Sequence, residues 1–179
     1  MIILMGLAGS GKSTQGQLLA AATGKVWLSA GQVLRDTGDP EVKATQESGK
    51  LVPNELVERL MIDGMLKAVR EGKDVIIDGF PRDAEQAKWL AENLATVMKL
   101  VLIIEVPKSE LIRRLELRGR SDDTREAIEE RFRIVEQNIC SICEILSAKG
   151  IKIKKVDGMG APEEVSMRIQ QVVTEVENV

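Results

Sequence analysis

Short apolar stretches alternate along this chain with longer segments in which apolar residues recur with helical spacing. Such alternation is typical of a parallel sheet that is covered by helices on both faces. The pattern therefore predicts a single α/β domain over residues 1–179, with five parallel strands between two layers of helices. The predicted strands are Ile2–Met5, Val26–Leu28, Asp74–Ile77, Leu100–Glu105 and Ile151–Val156. The predicted helices are Lys12–Ala22, Gln32–Thr37, Pro53–Glu71, Asp83–Leu94, Ser109–Leu117, Thr124–Lys149 and Pro162–Val176.

Two regions depart from this alternation. Between Ala30 and Leu60 short helical segments follow one another with no strand, which predicts a helical flap over residues 29–58. Residues 118–124 form a polar link between two helices, too short for a separate lid domain. Within this link, Asp123 and Glu126 have the spacing of a capping box, which predicts that Asp123 begins the second helix.

The first chemical motif follows the first predicted strand. Residues 6–14 read Gly-Leu-Ala-Gly-Ser-Gly-Lys-Ser-Thr, which completes the phosphate-loop pattern G-x-x-x-x-G-K-[ST]. Glycines permit a tight loop whose N–H groups converge on phosphate oxygens, and the following helix N-terminus favours negative charge. Lys12 would reach the β- and γ-phosphates, and Ser13 or Thr14 would offer a hydroxyl to phosphate or Mg²⁺. The alternative is a glycine-rich turn that binds nothing.

A second group of candidate residues follows the predicted strand at Asp74–Ile77. Asp78 would come beside the phosphate loop at the carboxyl edge of the sheet, where it could hold Mg²⁺ directly or through water. The turn Gly79-Phe80-Pro81-Arg82 then delivers a guanidinium to the same edge. The alternative for Asp78 is an ordinary turn cap.

Arginines cluster further along the chain, where the planar guanidinium fork suits phosphate. The expected phosphate ligands are Arg114, Arg118, Arg120 and Arg131, whereas Arg113, Arg125 and Arg133 are expected at the surface.

Composition excludes several function classes. A net charge of −3 and only 2% aromatic residues argue against a nucleic-acid groove. The chain has no histidine, so zinc ligation by Cys140 and Cys143 lacks further ligands, and both thiols are expected as small apolar helix residues. No apolar run could span a bilayer, and no long heptad pattern is present, so we expect a cytoplasmic monomer.

The segments GLAGSGKSTQ, LSAGQVLRD, GKLVP, DGFPR, RLELRGRSDD and KVDG, in this order, resemble the adenylate kinase and UMP/CMP kinase family of nucleoside monophosphate kinases. The resemblance runs essentially end to end. It implies a P-loop NTPase fold of the three-layer α/β/α type, a mobile nucleotide-monophosphate flap and a lid of the short type. It also implies reversible transfer of the γ-phosphoryl group from MgATP to a nucleoside monophosphate.

The resemblance also implies roles for individual residues. Lys12, Arg82, Arg120 and Arg131 would be catalytic, with the last two bridging both phosphate groups, and Asp122 and Asp123 would position the lid arginines. Mg²⁺ would be held by Ser13 and Asp78. The implied ATP contacts are Gly9, Ser10, Gly11, Lys12, Ser13, Thr14, Arg114, Arg118 and Gly160. The implied contacts of the acceptor monophosphate are Ala30, Arg35, Lys50, Leu51, Val52, Gly79, Phe80, Pro81, Arg82, Gln86, Arg120 and Arg131.

The chain departs from the family pattern at a few positions. Ser13 replaces a usual glycine, and Gly160 stands at a lysine common in bacterial adenylate kinases. Ala30 is more typical of UMP/CMP kinases, whereas Gln86 favours adenine, because its amide can pair with one acceptor and one donor on that base. We therefore expect AMP as acceptor. A pyrimidine monophosphate is the alternative, and an ATP-binding module without catalysis is a more remote one.

Overall fold

The computed structural model describes residues 1–120 and 122–178; predictions for Ser121, in the expected lid link, and Val179 lie outside these described residues. Its sheet has five parallel strands in the order β2-β3-β1-β4-β5, which confirms the predicted architecture. The strands lie within one or two residues of their predicted positions. They are β1 (Ile2–Met5), β2 (Val26–Ser29), β3 (Val75–Asp78), β4 (Leu100–Glu105) and β5 (Lys152–Asp157).

Helices cover both faces of this sheet because its strands are apolar on both sides. Along β1, Ile3 and Met5 join the core beneath one helical layer, whereas Ile2 and Leu4 join the core beneath the other. The first layer contains α4, α5 and α7, and the second contains α1 and α8. The helices are α1 (Lys12–Thr23), α2 (Ala30–Asp36), α3 (Pro40–Glu47), α4 (Asn54–Arg70), α5 (Ala84–Asn93), α6 (Lys108–Arg118), α7 (Arg125–Ser147) and α8 (Pro162–Glu177), with a 3-10 turn at Ala95–Val97.

The strand order determines where a ligand would bind. β1 is the central strand: β2 and β3 lie on one side of it, and β4 and β5 lie on the other. The order of strands therefore reverses direction at β1. In open α/β sheets this switch of direction creates a crevice at the carboxyl ends of the strands. The phosphate loop, the end of β3 and the start of α6 all lie at that edge.

The segment between β2 and α4 is helical, as its sequence predicts, and consists of α2, α3 and their connections. Asp39 caps α3 by accepting the N–H groups of Glu41 and Val42. Gly49 then lies against α7: a Cβ added there would come within 2.6 Å of the Ala127 carbonyl oxygen, so only glycine fits. The segment therefore contacts α7 as well as the sheet.

Two local predictions need correction. Asp123 does not cap α7, because Thr124 is the N-cap and its hydroxyl accepts the N–H of Ala127, while Asp123 pairs with arginines. The two thiols are free and differ: Cys143 packs against the core as expected, whereas Cys140 is exposed. No helix within residues 1–120 and 122–178 combines the length and the hydrophobicity needed to cross a bilayer.

Candidate active site

A cavity of about 490 Å³ opens at the carboxyl edge of the sheet. Its floor is the loop between β1 and α1, and its walls come from the flap segment, the end of β3, α6, the link before α7 and the start of α8. Cationic side chains dominate these walls. They are Lys12, Arg35, Lys50, Arg82, Arg113, Arg114, Arg118, Arg120 and Arg131, against the carboxylates of Asp78, Glu110 and Asp122. Such an excess of positive charge indicates an anionic ligand.

The loop from Gly6 to Gly11 has a backbone that requires glycine. Gly9 and Gly11 have φ angles of 83° and 92°, in the left-handed region. A Cβ at Gly9 would also lie 3.0 Å from the Leu111 carbonyl oxygen. Gly11 directly precedes α1, so the loop ends with the free N–H groups of that helix facing the cavity. Ser10, Gly11, Lys12, Ser13 and Thr14 line the cavity together with Gly9.

Lys12 points back across this loop. Its Nζ donates to the carbonyl oxygens of Gly6 and Leu7, both at 2.9 Å. Burial lowers the pKa of Lys12 to about 8, and repulsion from Arg82 and Arg118 adds to that effect, while Asp78 opposes it. An anion that reached Nζ would stabilise the ammonium group and raise the pKa of Lys12 again.

Asp78 ends β3 and is buried, with only 3% of its surface exposed. The hydroxyl of Ser13 donates to Asp78 Oδ2 over 2.6 Å. Thr14 lines the same cavity, but in this structure it is Ser13 that contacts the carboxylate. The residue that departs from the family pattern thus lies beside the predicted metal-binding aspartate.

Arg82 lies in the turn that follows β3. Its Nε donates to the Gly79 carbonyl oxygen at 2.9 Å, and its backbone N–H donates to Gln86 Oε1 at 2.8 Å. Burial lowers the pKa of Arg82, as do nearby Arg131 and Arg35, whereas Asp78 raises it. Gly79 lines the cavity with Arg82, while Phe80 is in the core, 1% exposed.

The other predicted acceptor contacts fall into three groups. Arg35 and Lys50 line the main cavity, and burial lowers the pKa of Arg35, with repulsion from Arg120 second. Leu51 and Pro81 line a smaller adjoining cavity of about 100 Å³. The remaining predicted contacts are buried outside the lining of both cavities: Ala30, Val52 and Gln86.

Two arginines at or near the link at residues 118–124, Arg118 and Arg131, pair with two carboxylates. Arg118 Nε and Nη2 donate to the two carboxylate oxygens of Asp123, at 2.7 and 2.5 Å. Arg131 donates to Asp122 at 2.7 Å and to Asp123 at 3.1 Å. Its Nη2 also donates to the Gln46 carbonyl oxygen at 2.8 Å, which connects α7 to the flap segment. Arg120 lines the cavity beside them.

The far end of the cavity is formed by α6 and the segment after β5. Arg114 donates to Glu110 at 2.8 Å and to the Gly158 carbonyl oxygen at 3.2 Å. Hydrogen bonds from Arg113 and Arg114 lower the pKa of Glu110 to about 2. Gly160 lines the cavity near them. Arg113, Arg125 and Arg133 are at the surface as predicted, although Arg113 lies at the edge of the cavity.

Comparison with known proteins shows the family to which this chain belongs. Residues 4–151 match the family model described as adenylate kinase. An adenylate kinase of Thermus thermophilus is 38% identical over 184 aligned positions that cover 94% of each chain. Adenylate kinases of Parabacteroides distasonis and Mycobacterium ulcerans are each 34% identical, covering 98% and 96% of this chain and 98% of their own length. The chain belongs to the adenylate kinase family.

Some residues of this candidate site were not identified from the sequence. Gln46 lines the cavity, and its carbonyl oxygen accepts a hydrogen bond from Arg131. Gln15 lies in the wall and donates to the Pro162 carbonyl oxygen at 2.9 Å. Glu110 precedes Arg114 by four residues in a helix, a spacing that could have revealed the pair, whereas a backbone contact such as that of Gln46 leaves no sequence signal.

Proposed function

We propose that the chain catalyses reversible transfer of the γ-phosphoryl group of MgATP to AMP, which yields two ADP. The observation that carries this proposal is the convergence of Lys12 and Arg82 on one cavity beside a glycine loop, each donating to backbone carbonyl oxygens. Two partly buried cations in one cavity suit the phosphate groups of two nucleotides that enter from opposite sides. Membership of the adenylate kinase family supports the same reaction.

ATP would bind along the floor and the far end of the cavity. The loop from Gly9 to Thr14 would hold its phosphates through backbone N–H groups, with Lys12 on the β- and γ-phosphates. Arg114 and Gly160 would lie against the base, at the end of the cavity formed by α6 and the segment after β5.

AMP would bind from the opposite side, beneath the flap at residues 29–58. Arg35 and Arg82 would hold its phosphate, since both guanidinium groups line the cavity and burial lowers the pKa of each. Lys50, Leu51 and Val52 would contact the nucleoside chiefly through backbone. The buried Gln86 would meet the base once the flap adjusts to it.

Transfer would depend on alignment and charge neutralisation, because phosphoryl transfer requires little covalent work from side chains. The catalytic groups would be Lys12, Arg82, Arg120 and Arg131. Water is the competing acceptor, so the flap and the link at residues 118–124 would close before these groups complete the site. The hydrogen bond from Arg131 to the Gln46 carbonyl oxygen, which links α7 to the flap segment, supports such closure.

The residues at the sheet edge fit Mg²⁺. Ser13 and buried Asp78 supply hydroxyl and carboxylate oxygens, the ligands that this ion prefers, and they lie 2.6 Å apart beside the phosphate loop. Within the described residues no group of three or more acidic, histidine or cysteine side chains is arranged to hold a metal ion. When bound, Mg²⁺ would neutralise charge on the transferring phosphates.

A panel of acceptors tests the proposal. The purified chain is mixed with ATP and Mg²⁺ and with AMP, CMP, UMP, dCMP or GMP in turn, and nucleotides are separated by chromatography. We expect the largest kcat/KM with AMP and no transfer in Lys12→Met, while Lys88→Met, on an exposed part of α5, serves as the control. A pyrimidine preference would instead agree with Ala30, whose methyl group offers no hydrogen bond. Failure to convert any acceptor would leave only an ATP-binding module.

A further inference from the structure

Asn54, the first residue of α4, shares a hydrogen-bond network with Gln86, but the proposed mechanism gives Asn54 itself no role. Its Nδ2 donates to Glu85 Oε2 at 2.7 Å and to Asp83 Oδ2 at 3.2 Å. Its Oδ1 accepts from Gln86 Nε2 at 2.7 Å. Both protons of the Asn54 amide and one lone pair of its oxygen are therefore engaged.

These partners permit only one orientation of the Asn54 amide. If the amide were reversed, its oxygen would face two carboxylates and its NH₂ group would face the NH₂ group of Gln86. Both contacts would be repulsive, and those with Asp83 and Gln86 would also leave polar groups unpaired in a partly buried place. The carboxylates of Asp83 and Glu85 thus determine that Asn54 offers an acceptor to Gln86.

The orientation of the Gln86 side-chain amide is determined by two partners. Its Nε2 must face Asn54 Oδ1, and its Oε1 must face the backbone N–H of Arg82, which donates over 2.8 Å. The side chain is 1% exposed and lies behind the turn Gly79–Arg82, whose ends line the cavity. One N–H and one oxygen lone pair of Gln86 remain for a further partner, in a fixed order.

We propose that Asn54 is a positioning residue that fixes the polarity of the Gln86 amide and thereby makes the enzyme select acceptor bases by their amino or keto group. The inference rests on the proposed function and deepens it. Adenine and cytosine present an amino donor beside a ring-nitrogen acceptor, whereas guanine and uracil present a keto acceptor beside a ring N–H. A Gln86 amide of fixed polarity matches only one of these two orders.

The proposal therefore groups acceptors by their amino or keto group, whereas a pocket that selects by base size would group them as purines and pyrimidines. AMP and CMP belong to the favoured chemical class, and GMP and UMP to the disfavoured one. The size and shape of the pocket would set a separate preference between purine and pyrimidine acceptors. The ratio of amino-base to keto-base kcat/KM, taken within purines and within pyrimidines, isolates the contribution of the amide.

A matched pair of Asn54 variants tests the proposal. Asn54→Asp keeps an oxygen for Gln86 Nε2, whereas Asn54→Leu has nearly the same size and offers none. We expect Asn54→Leu to reduce the AMP-to-GMP and CMP-to-UMP ratios about tenfold. Asn54→Asp should keep both ratios within about threefold, although its extra charge beside Asp83 and Glu85 should lower stability. Asn93→Leu removes an asparagine amide from α5, far from the network, and serves as the control.

Each outcome decides the question. Equal loss of activity with all four acceptors in Asn54→Leu would show a merely structural role and would overturn the proposal. If the leucine variant does not fold, hydrogen exchange of the Gln86 side-chain amide in the unmodified protein decides: slow exchange supports a fixed amide, and exchange at the solvent rate refutes it. Absence of transfer to every acceptor in the unmodified protein would refute the proposed function, while the exchange measurement would still test the amide.

Discussion

Two pairs of cations in the site are held in different ways. We call Lys12 and Arg82 the central cations, and Arg118 and Arg131, at or near the link at residues 118–124, the lid cations. The lid cations form hydrogen-bonded salt bridges with Asp122 and Asp123. In the part of the chain that the structure describes, the central cations form no salt bridge and donate to backbone carbonyl oxygens. Burial lowers the pKa of both central groups.

This difference suggests that the central cations bind the ligand's charge, whereas the carboxylates beside the lid cations position guanidinium groups. A desolvated cation that forms no salt bridge is costly even with Asp78 nearby, and an arriving phosphate offsets that cost, so the central cations gain most from the ligand. The lid cations already have partners, so their carboxylates chiefly fix where the guanidinium groups point. We therefore expect substitutions at the centre to affect the chemical step most, and substitutions among the lid carboxylates to affect closure.

Replacing Arg82 should have the largest effect. Arg82→Ala removes a cation that, in the proposed mechanism, faces the transferring group, and loss of one such group typically costs about 10²–10³-fold in kcat. ATP affinity should remain nearly intact, because the phosphate loop and Lys12 are untouched. Steady-state kinetics and ATP titration calorimetry measure the two quantities, with exposed Arg133→Ala as the control. An unchanged kcat would remove Arg82 from the active site.

The pH dependence of ATP binding tests the other central cation. Lys12 has a pKa of about 8 in the ligand-free protein, below its ordinary 10.5, so it loses its proton as the pH rises through 8. ATP affinity should then fall by up to about tenfold per pH unit.

The free energy of unfolding should change in the opposite direction. A lowered lysine pKa means that protonation disfavours the folded state, so this penalty is present below pH 8 and is relieved between 8 and 10.5. Calorimetry at about pH 7 and about pH 9.5 measures the affinity, and thermal denaturation measures stability. Both trends should weaken in Lys12→Met; if they persist there, another group is responsible.

Replacing a lid carboxylate should have a smaller effect. In Asp123→Ala, Arg118 loses both of its bonds to Asp123, while Arg131 keeps Asp122 and the Gln46 carbonyl oxygen. We expect KM for ATP to rise about five- to thirtyfold with a weaker effect on affinity for AMP, since a lost charge-assisted bond is worth about 1–2 kcal/mol. Asp123→Asn, which keeps one acceptor, should lie between. If Asp123→Ala harms kcat as strongly as Arg82→Ala, the two sets of cations are not distinct in role.

The sequence predicts the parts of this molecule that depend on local pattern. Apolar runs of strand length, separated by periodic helices, indicate the parallel sheet, and the glycine loop indicates the phosphate-binding edge. The order β2-β3-β1-β4-β5 has no such signal, because pairing between distant strands depends on the whole core. Resemblance to known kinases identifies the remaining candidate residues.

Predictions from spacing fail where a distant partner competes with a local one. Asp123 has the spacing of a helix cap, yet two arginines attract its carboxylate more strongly than the backbone does, and Thr124 caps the helix instead. Gln46 contacts Arg131 through its carbonyl oxygen, which every residue type possesses. The network of Asn54 and Gln86 joins residues 32 positions apart, so only the fold brings it together.

Ser13→Gly should have the smallest effect, and it tests the predicted metal site beside the central cations. It restores the glycine usual in the family and removes the donor to Asp78 at 2.6 Å, but every central and lid cation remains. We expect kcat to change less than about fivefold, because charge neutralisation by the cations persists. Direct Mn²⁺ binding in the presence of ADP, followed by electron paramagnetic resonance, should weaken if the hydroxyl is a ligand. Ser13→Ala separates loss of the hydroxyl from the greater backbone freedom of glycine, which costs about 1 kcal/mol in a helix. A loss of kcat in Ser13→Ala as large as that in Arg82→Ala would mean that the bond between Ser13 and Asp78, rather than the central cations alone, is needed for transfer.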